Sequence, residues 1–196
     1  NELAELWRTR SCDSILAIGG GSVIDTAKGV NILVSLGGND VRAYRGAETL
    51  PGPLRPLFVA PTTAGTGSEA TNSAVIADPE SGVKMLFVSE FLLPRAAVLD
   101  TRLTLTLPPR LTAATGMDAL THAMEACLSI QKNPVSDAYA WQAINLIRQF
   151  LTQAVRTPDD KTARLALANA STLAGADFSN AMVGSVHSMG HADGAV

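Results

Sequence analysis

Residues 17–30, AIGGGSVIDTAKGV, decide the fold of the first half of this chain. An apolar run at residues 14–18 leads into three consecutive glycines, and a helical pattern follows from residue 22 to residue 36. A strand, a glycine turn and a helix in this order are the first unit of an α/β fold. Glycine backbone loses much entropy when it is ordered, so such a turn usually marks a place where something approaches the main chain closely.

Further β-rich runs and turn signals extend this unit along the first half of the chain. The runs predicted to be strands are residues 56–60, 73–77, 83–88 and 96–99. The turn sequence DPESG at residues 78–82 predicts that the second and third of these form a hairpin. Residues 36–56, rich in glycine and proline, form a long loop of the kind that is often functional.

The pattern becomes helical after Leu107-Pro108-Pro109. Proline is favourable at the start of a helix, because the N–H that it lacks would have no partner there. The helices are predicted at residues 110–129, 135–156, 159–179 and from 181 onward. We therefore expect an α/β domain at residues 1–107, followed by an all-helical domain at residues 108–196.

Composition restricts the class of protein. The chain is 46% hydrophobic and 17% charged with a formal net charge of −3, which is typical of a globular protein and not of a nucleic-acid binder. No apolar run approaches the roughly 20 residues that cross a bilayer, so no membrane partner is expected. Cys12 and Cys127 lack CxxC spacing, which predicts free thiols in a reducing compartment and a cytoplasmic protein.

The glycine turn has the properties of an anion site. Unpaired N–H groups and the helix dipole at a helix N-terminus favour a phosphate, and glycine lets it approach the main chain. Ile24 stands where a GxGxxG motif would have its third glycine, and no GK[ST] sequence follows. A purely structural βα turn is the alternative interpretation.

A second loop, residues 61–69 with the sequence PTTAGTGSE, also follows an apolar strand. Its hydroxyl groups suit phosphate and ribose oxygens, although a Ser/Thr-rich surface turn is the alternative. Two such loops at strand ends predict a dinucleotide in the crevice between them. Neither Ser22 nor Ser68 lies in a GxSxG elbow, so a serine hydrolase is not supported.

The helical half contains all three histidines of the chain. Asp118 and His122 are four residues apart, as are His187 and His191, so each pair shares one face of a helix. An aspartate and two histidines are ligands that suit Fe²⁺ or Zn²⁺. The alternative is an Asp–His helical ion pair with two core histidines that bind no metal.

Taken together, these motifs resemble the iron-containing (group III) alcohol dehydrogenase family. The matching segments are AIGGGSVIDTAKGV, PTTAGTGSEAT, AVLD, LPPRLTAATGMDALTHAMEA and VHSMGHADGA, and they occur in the order found in the family. The resemblance implies a dehydroquinate synthase-like architecture, in which a dinucleotide-binding α/β domain and a helical metal-binding domain enclose the active site. It implies hydride transfer between a small alcohol or aldehyde and NAD or NADP, assisted by Fe²⁺ or alternatively Zn²⁺.

The resemblance also implies roles for individual residues. Asp118, His122 and His187 would be metal ligands, and His191 would be a catalytic residue that relays a proton beside the nicotinamide. Lys84 would lie near the nicotinamide ribose. The remaining cofactor-binding residues would hold the diphosphate and line the groove: Gly20, Gly21, Ser22, Asp25, Thr62, Thr63, Thr66 and Ser68.

Some features of the family fall outside the printed sequence. Its first strands would precede Asn1 and its fourth metal ligand would follow Val196, so we expect a fragment that lacks both ends. Asp193 stands where the family usually has an apolar residue. A homo-oligomer is expected at full length. Glycerol dehydrogenase, maleylacetate reductase and dehydroquinate synthase-like enzymes stay open as alternatives, as does a metal-free nucleotide-binding module.

Overall fold

The computed structural model of the chain describes residues 2–182 and 184–193, with the side chains of residues 191–193 outside that description. An α/β part comes first and an all-helical part follows, as the sequence predicts. The helices are α1 (Glu2–Thr9), α2 (Gly21–Leu36), α3 (Pro109–Leu128), α4 (Pro134–Arg156), α5 (Lys161–Ala181) and α6 (Ser185–Asp193). The strands are β1 (Ile15–Gly19), β2 (Gly46–Ala47), β3 (Leu57–Pro61), β4 (Ser73–Asp78), β5 (Val83–Val88) and β6 (Ala96–Ala97).

The first sheet is parallel and has the strand order β1-β3-β6. Its main register aligns Ile15 with Leu57 and Gly19 with Pro61, so the glycine turn and the PTTAGTGSE loop leave the sheet side by side. Helix α2 crosses one face, where Ile24 and Val59 are fully buried. This register places both predicted cofactor loops at the same edge of the sheet.

The predicted hairpin forms a second sheet of its own, with the order β2-β5-β4. Strands β4 and β5 are antiparallel, and Gly82 has a positive φ of 65° in the turn that joins them. The long loop between α2 and β3 contributes strand β2 and a 3-10 helix, Val41–Tyr44. A core of Ile32, Met85 and Phe87 fixes this sheet beneath α2. The hairpin therefore forms a separate wall beside the parallel sheet.

Helices α3, α4 and α5 pack against one another as a bundle around small side chains. Its core contains Ala123, Ala143, Ala170 and Ala174, all fully buried, together with Ile147. Small side chains let helix backbones approach closely, and dispersion forces between close-packed atoms stabilise the contact.

The bundle helices begin at recognisable caps. Asn133 caps α4 in a reciprocal pair with Ser136, and the Asp160 carboxylate accepts the first-turn N–H groups of α5. Helix α3 instead has Pro109 at its first position. Each cap satisfies donors that the helix itself leaves unpaired. Across the described residues, no helix is long and apolar enough to cross a membrane, and both cysteines are free.

Candidate nucleotide and metal site

A cavity of about 550 Å³ lies where the α/β part meets the helical part. Nine of the predicted site residues line it: Gly21, Ser22, Asp25, Thr66, Ser68, Lys84, Asp118, His122 and His187. Gly20, Thr62 and Thr63 are not among the described residues that line it. The side chain of His191 lies outside the described residues, so its predicted role stays a prediction.

The N-terminus of α2 opens into this cavity. Gly20 is the N-cap residue in an extended conformation, and no described side chain caps the helix there. A Cβ added at Gly21 would lie 2.6 Å from the side chain of Thr66, and one at Gly20 would lie 3.2 Å from Thr63. The glycines therefore let the two loops pack directly against each other, and the first helical turn at Gly21 and Ser22 lines the cavity.

Asp25 joins three elements on the cavity wall. One carboxylate oxygen accepts the hydroxyl of Ser68 at 2.5 Å, and the other accepts the backbone N–H of Val75 at 2.9 Å. This carboxylate therefore holds α2, the second loop and β4 in one arrangement. The structure thus gives Asp25 a positioning contact, and its predicted place beside the nucleotide stays a prediction.

Lys28, one helical turn after Asp25, is a residue that the sequence analysis did not single out. Its Nζ is fully buried and donates to the carbonyls of Thr71 and Ser73 and to the Thr71 hydroxyl, at 2.7–3.0 Å. Burial lowers the pKa of Lys28 to about 8, although the nearby carboxylates of Asp25 and Glu69 oppose the change. In the sequence, the position of this lysine on the apolar face of α2 was the signal that could have identified it as buried.

Lys84 lies on β5 opposite Ala77 and is half-buried at the cavity wall. The hairpin thus supplies part of the cavity wall. Ser73, Val75 and Leu86 of the same hairpin also line the cavity.

The three predicted metal ligands come together at the helical side of the cavity. Ligand atoms of Asp118, His122 and His187 all lie within 4.8 Å of one another. Nε2 of His187 is 3.6 Å from Oδ1 of Asp118. Asp118 and His122 share one face of α3, whereas His187 comes from α6, which packs on that face.

The His122 ring is buried and stacked. Its centroid is 4.9 Å from that of Phe178 and 4.0 Å from that of His187. Burial lowers the pKa of His122 to about 4, with His187 adding to this and Asp118 opposing it. The backbone of Gly65 also opposes the lowering. The buried Nδ1 has no hydrogen-bond partner among the hydrogen bonds of the described residues.

Glu125, which the sequence analysis did not single out, contacts the predicted ligand His187. One carboxylate oxygen lies 2.5 Å from Nδ1 of His187, and the other accepts the backbone N–H of Val186 at 2.6 Å. Burial acts to raise the pKa of Glu125, but the hydrogen bonds from His187, Val186 and Gly184 outweigh it and lower that pKa. The spacing of three residues from His122 was the signal that could have found it, since residues three apart share a helix face.

The electrostatics of His187 differ from those of His122. Burial acts to lower the pKa of His187, but hydrogen bonds and charges from Asp118 and Glu125 outweigh it and raise that pKa. The two imidazoles of the cluster thus carry opposite pKa shifts at a ring separation of 4.0 Å.

The donor set fits a divalent metal. Two imidazoles and one carboxylate form an N,N,O set that both Zn²⁺ and Fe²⁺ accept. The neutral form of His122, favoured by its lowered pKa, is the form that ligates a metal, and a buried ring nitrogen without a partner is the kind of atom that a ligand satisfies.

Comparison with known proteins places the whole chain in one family. A family model described as "Iron-containing alcohol dehydrogenase" matches residues 1–101. A second, described as "Fe-containing alcohol dehydrogenase family, C-terminal", matches residues 112–196.

Curated relatives and solved structures agree with these matches. The NAD-dependent methanol dehydrogenase of Bacillus methanolicus is 42% identical over 100% of this chain and 51% of its own length. The 1,3-propanediol dehydrogenase of Citrobacter freundii is 48% identical over 95% of this chain and 48% of its own length. The crystal structure of a 1,3-propanediol oxidoreductase superposes with a TM-score of 0.95 at 45% identity, over 100% of this chain and 51% of that one. The chain spans about half the length of the curated relatives that it matches.

Proposed function

The chain belongs to the iron-containing alcohol dehydrogenase family, and we propose on that premise that the protein carrying it is a metal-dependent oxidoreductase. Its substrates are small alcohols and aldehydes, the class named for the methanol and propanediol dehydrogenases that it resembles. Its cofactor is a nicotinamide dinucleotide, with NAD as the first form to test because the methanol dehydrogenase relative is NAD-dependent.

The proposed metal ligands are Asp118, His122 and His187. Asp118 supplies a charged oxygen, and the low pKa of His122 keeps its imidazole neutral near pH 7. Stacking against Phe178 and His187 restrains the His122 ring, so its orientation does not have to be fixed when the ion binds.

The proposed nucleotide site uses the other side of the same cavity. The N-terminus of α2 at Gly21 and Ser22 offers N–H groups and a positive dipole end to the diphosphate. Thr66 and Ser68 come from the adjoining loop, and the contact of Asp25 with Ser68 holds that loop against α2. We keep Gly20, Thr62, Thr63 and Lys84 as cofactor-binding residues and His191 as a proton relay in this proposal.

The chemistry follows from this arrangement. When bound, a divalent metal supplies Lewis acidity toward an alcohol or carbonyl oxygen, and a nicotinamide supplies the two-electron hydride acceptor or donor. The residues proposed for the two sites line one cavity. The sheet register places the two loops side by side, and the α3–α6 contact brings the metal ligands together. This arrangement precedes ligand binding and reduces the entropy cost of bringing the reactants together.

The two proposed sites map to two proposed domains, residues 1–107 for the nucleotide and residues 108–196 for the metal. Assembly into a homo-oligomer and a cytoplasmic location are further parts of the proposal. The ligand set accepts Fe²⁺ or Zn²⁺, so both metals belong in the test.

One observation carries the proposal: the Asp118–His122–His187 cluster lines the same cavity as the glycine turn. The test uses the complete polypeptide that carries this sequence, stripped of metal by a chelator and reloaded with Fe²⁺ without oxygen, or with Zn²⁺. We expect metal-dependent reduction of NAD⁺ with short primary alcohols and diols, followed by the absorbance of the reduced nicotinamide.

The variant His122→Ala tests the assigned site. We expect it to fold but to lose stoichiometric metal and turnover, because a ligand is removed from the centre of the cluster. Met124→Ala, on the same helix with a side chain that is 51% exposed, is the control. Retained metal and turnover in His122→Ala would remove these residues as the metal site.

A further inference from the structure

We infer that Glu125 is a positioning residue that fixes the ring of His187, so that Nε2 of this histidine is the nitrogen presented to the metal. The inference rests on the proposed function, because it concerns the proposed ligand His187. It adds a residue that does not itself belong to the proposed ligand set.

The first step is the geometry of the carboxylate. Glu125 lies on α3 and is 7% exposed. Its Oε2 lies 2.5 Å from Nδ1 of His187, and its Oε1 accepts the N–H of Val186 at 2.6 Å. Gly184 lies against the same group, since a Cβ added there would be 3.0 Å from Oε1. One side chain thus contacts the first turn of α6 and the histidine that this turn carries.

The second step concerns the proton on the histidine ring. A carboxylate is an acceptor only, so its contact with Nδ1 requires that this nitrogen carries the hydrogen. In the neutral ring the lone pair is then on Nε2. That atom is the one on the side of Asp118, at 3.6 Å from Oδ1. Glu125 therefore selects the tautomer that directs a ligand lone pair toward the cluster.

The third step is the coupling of ring position to helix position. The two oxygens of Glu125 serve two donors, Nδ1–H of His187 and N–H of Val186, which lie on consecutive residues of α6. A glutamine has one acceptor oxygen and one NH₂ donor group, so it can satisfy only one of these two contacts. Its NH₂ group would then either face the Val186 N–H or favour the opposite tautomer of His187. The change Glu125→Gln keeps the size of the side chain and removes this dual role.

The chain offers a matched control. Glu69 is also buried, at 5% exposed, and its carboxylate accepts a hydrogen bond from the Thr172 hydroxyl at 2.8 Å. Among the hydrogen bonds and ion pairs of the described residues, none joins Glu69 to Asp118, His122 or His187. Glu69→Gln therefore makes the same chemical change in a similarly buried place.

The experiment measures Zn²⁺ affinity of the metal-stripped complete polypeptide by competition with a chelating dye. Circular dichroism and thermal unfolding in chelator establish that each variant is folded. For Glu125→Gln we expect the Zn²⁺ Kd to rise by about 10- to 100-fold, the range found when such supporting contacts are lost. Glu69→Gln is expected to keep the wild-type Kd. An unchanged Zn²⁺ Kd in folded Glu125→Gln overturns the inference.

A second measurement keeps the inference testable if Glu125→Gln does not fold. Two-bond ¹H–¹⁵N correlation spectra of the wild-type Zn²⁺ form report which nitrogen of each histidine carries the proton, and His187→Gln identifies the resonances of His187. A proton on Nδ1 of His187 supports the inference. A proton on Nε2, with Zn²⁺ on Nδ1, overturns it whatever the variants do.

Failure of the proposed function gives a different result. If His122→Ala binds Zn²⁺ as tightly as wild type, the metal site is elsewhere and both proposals fall. If His122→Ala loses Zn²⁺ while folded Glu125→Gln keeps wild-type affinity, the metal site stands and only the role of Glu125 is wrong.

Discussion

Gly67 of the second loop and Gly175 of helix α5 are in direct backbone contact. A Cβ added at Gly175 would lie 2.5 Å from the carbonyl oxygen of Gly67, and one at Gly67 would lie 2.6 Å from the Cα of Gly175. Gly67 has a positive φ of 63°, and its N–H donates to Ser171 of the same helix at 3.2 Å. The loop that lines the nucleotide side of the cavity is thereby fixed to the helical part that carries the metal ligands.

This contact predicts that a Gly→Ala substitution inside a helix lowers the free energy of unfolding instead of raising it. In the interior of a helix, Gly→Ala normally stabilises by up to about 1 kcal/mol, because alanine has the higher helix propensity. For Gly175→Ala we expect a loss of about 1–3 kcal/mol in the free energy of unfolding, since the added methyl would overlap the Gly67 backbone. Urea denaturation measures it.

The control for this prediction is Gly190→Ala. Gly190 lies in α6, and a Cβ added there would have no atom within 4 Å. The same substitution should leave stability unchanged or raise it. A Gly175→Ala variant as stable as wild type would show that the loop and α5 are not in tight contact.

A negative charge introduced at Ser22 is predicted to weaken nucleotide binding without lowering stability. Its side chain is exposed in the first turn of α2 and lines the cavity. A negative charge at this helix end stabilises the helix but repels a diphosphate. For Ser22→Glu we expect the NAD⁺ Kd to rise about tenfold, corresponding to roughly 1.4 kcal/mol, without any fall in the melting temperature.

Calorimetric titration with NAD⁺ measures this change, and Ser14→Glu is the control. Ser14 is exposed just before β1 and is not among the residues that line the cavity. The substitution adds the same charge to the same α/β part of the molecule. Equal NAD⁺ affinity in Ser22→Glu and wild type would favour the structural-turn interpretation of the glycine stretch.

The elements that sequence predicts well here are those set by local pattern. The parallel strands, α2 and the three bundle helices lie within one or two residues of their predicted bounds because apolar periodicity and proline or glycine positions define them. Asp118 and His122 could be placed on one helix face because they are four residues apart. His187 is assigned to the same cluster by the resemblance to the family.

What sequence does not predict is which distant groups meet. The glycines of the second loop indicate a close approach, but Gly67 meets α5 and Gly65 meets Thr115 of α3 instead of only a ligand. Glu125 and His187 are 62 residues apart, and their contact depends on how α6 packs on α3. The position of Lys28 on the apolar face of α2 indicates burial, but its hydrogen bonds to Thr71 and Ser73 depend on how β4 packs against α2. Each of these contacts follows from tertiary packing, which helical or strand periodicity does not encode.

Removal of the buried cation of Lys28 is predicted to lower the free energy of unfolding substantially. Its ammonium donates three hydrogen bonds to Thr71 and Ser73. Lys28→Met keeps the aliphatic volume and leaves these buried acceptors without their donor, which we expect to cost about 3 kcal/mol. Lys132→Met, at an exposed lysine, is the control. Chemical denaturation that gives equal midpoints for the two variants would contradict this role of Lys28.

The burial of the Asp177 carboxyl predicts that the stability of the protein depends on pH. It is fully buried on α5, and neither carboxylate oxygen has a hydrogen-bond partner among the described residues. Burial, with a smaller effect of Asp137, raises its pKa from 3.8 to about 7. The folded state therefore binds this proton more tightly than the unfolded state, so stability is highest below about pH 4 and is lost as the pH rises through 7.

The variant Asp177→Asn removes this dependence, because the amide stays neutral at every pH. We expect it to match the wild type near pH 4 and to be more stable at pH 8, by roughly 4 kcal/mol. Asp159→Asn, at an exposed carboxylate, is the control. Unfolding free energies from urea titrations at the two pH values measure the difference. If Asp177→Asn and wild type differ equally at pH 4 and pH 8, then the Asp177 carboxyl ionises in the folded protein as easily as in the unfolded chain, and a cation or water must reach it within the bundle.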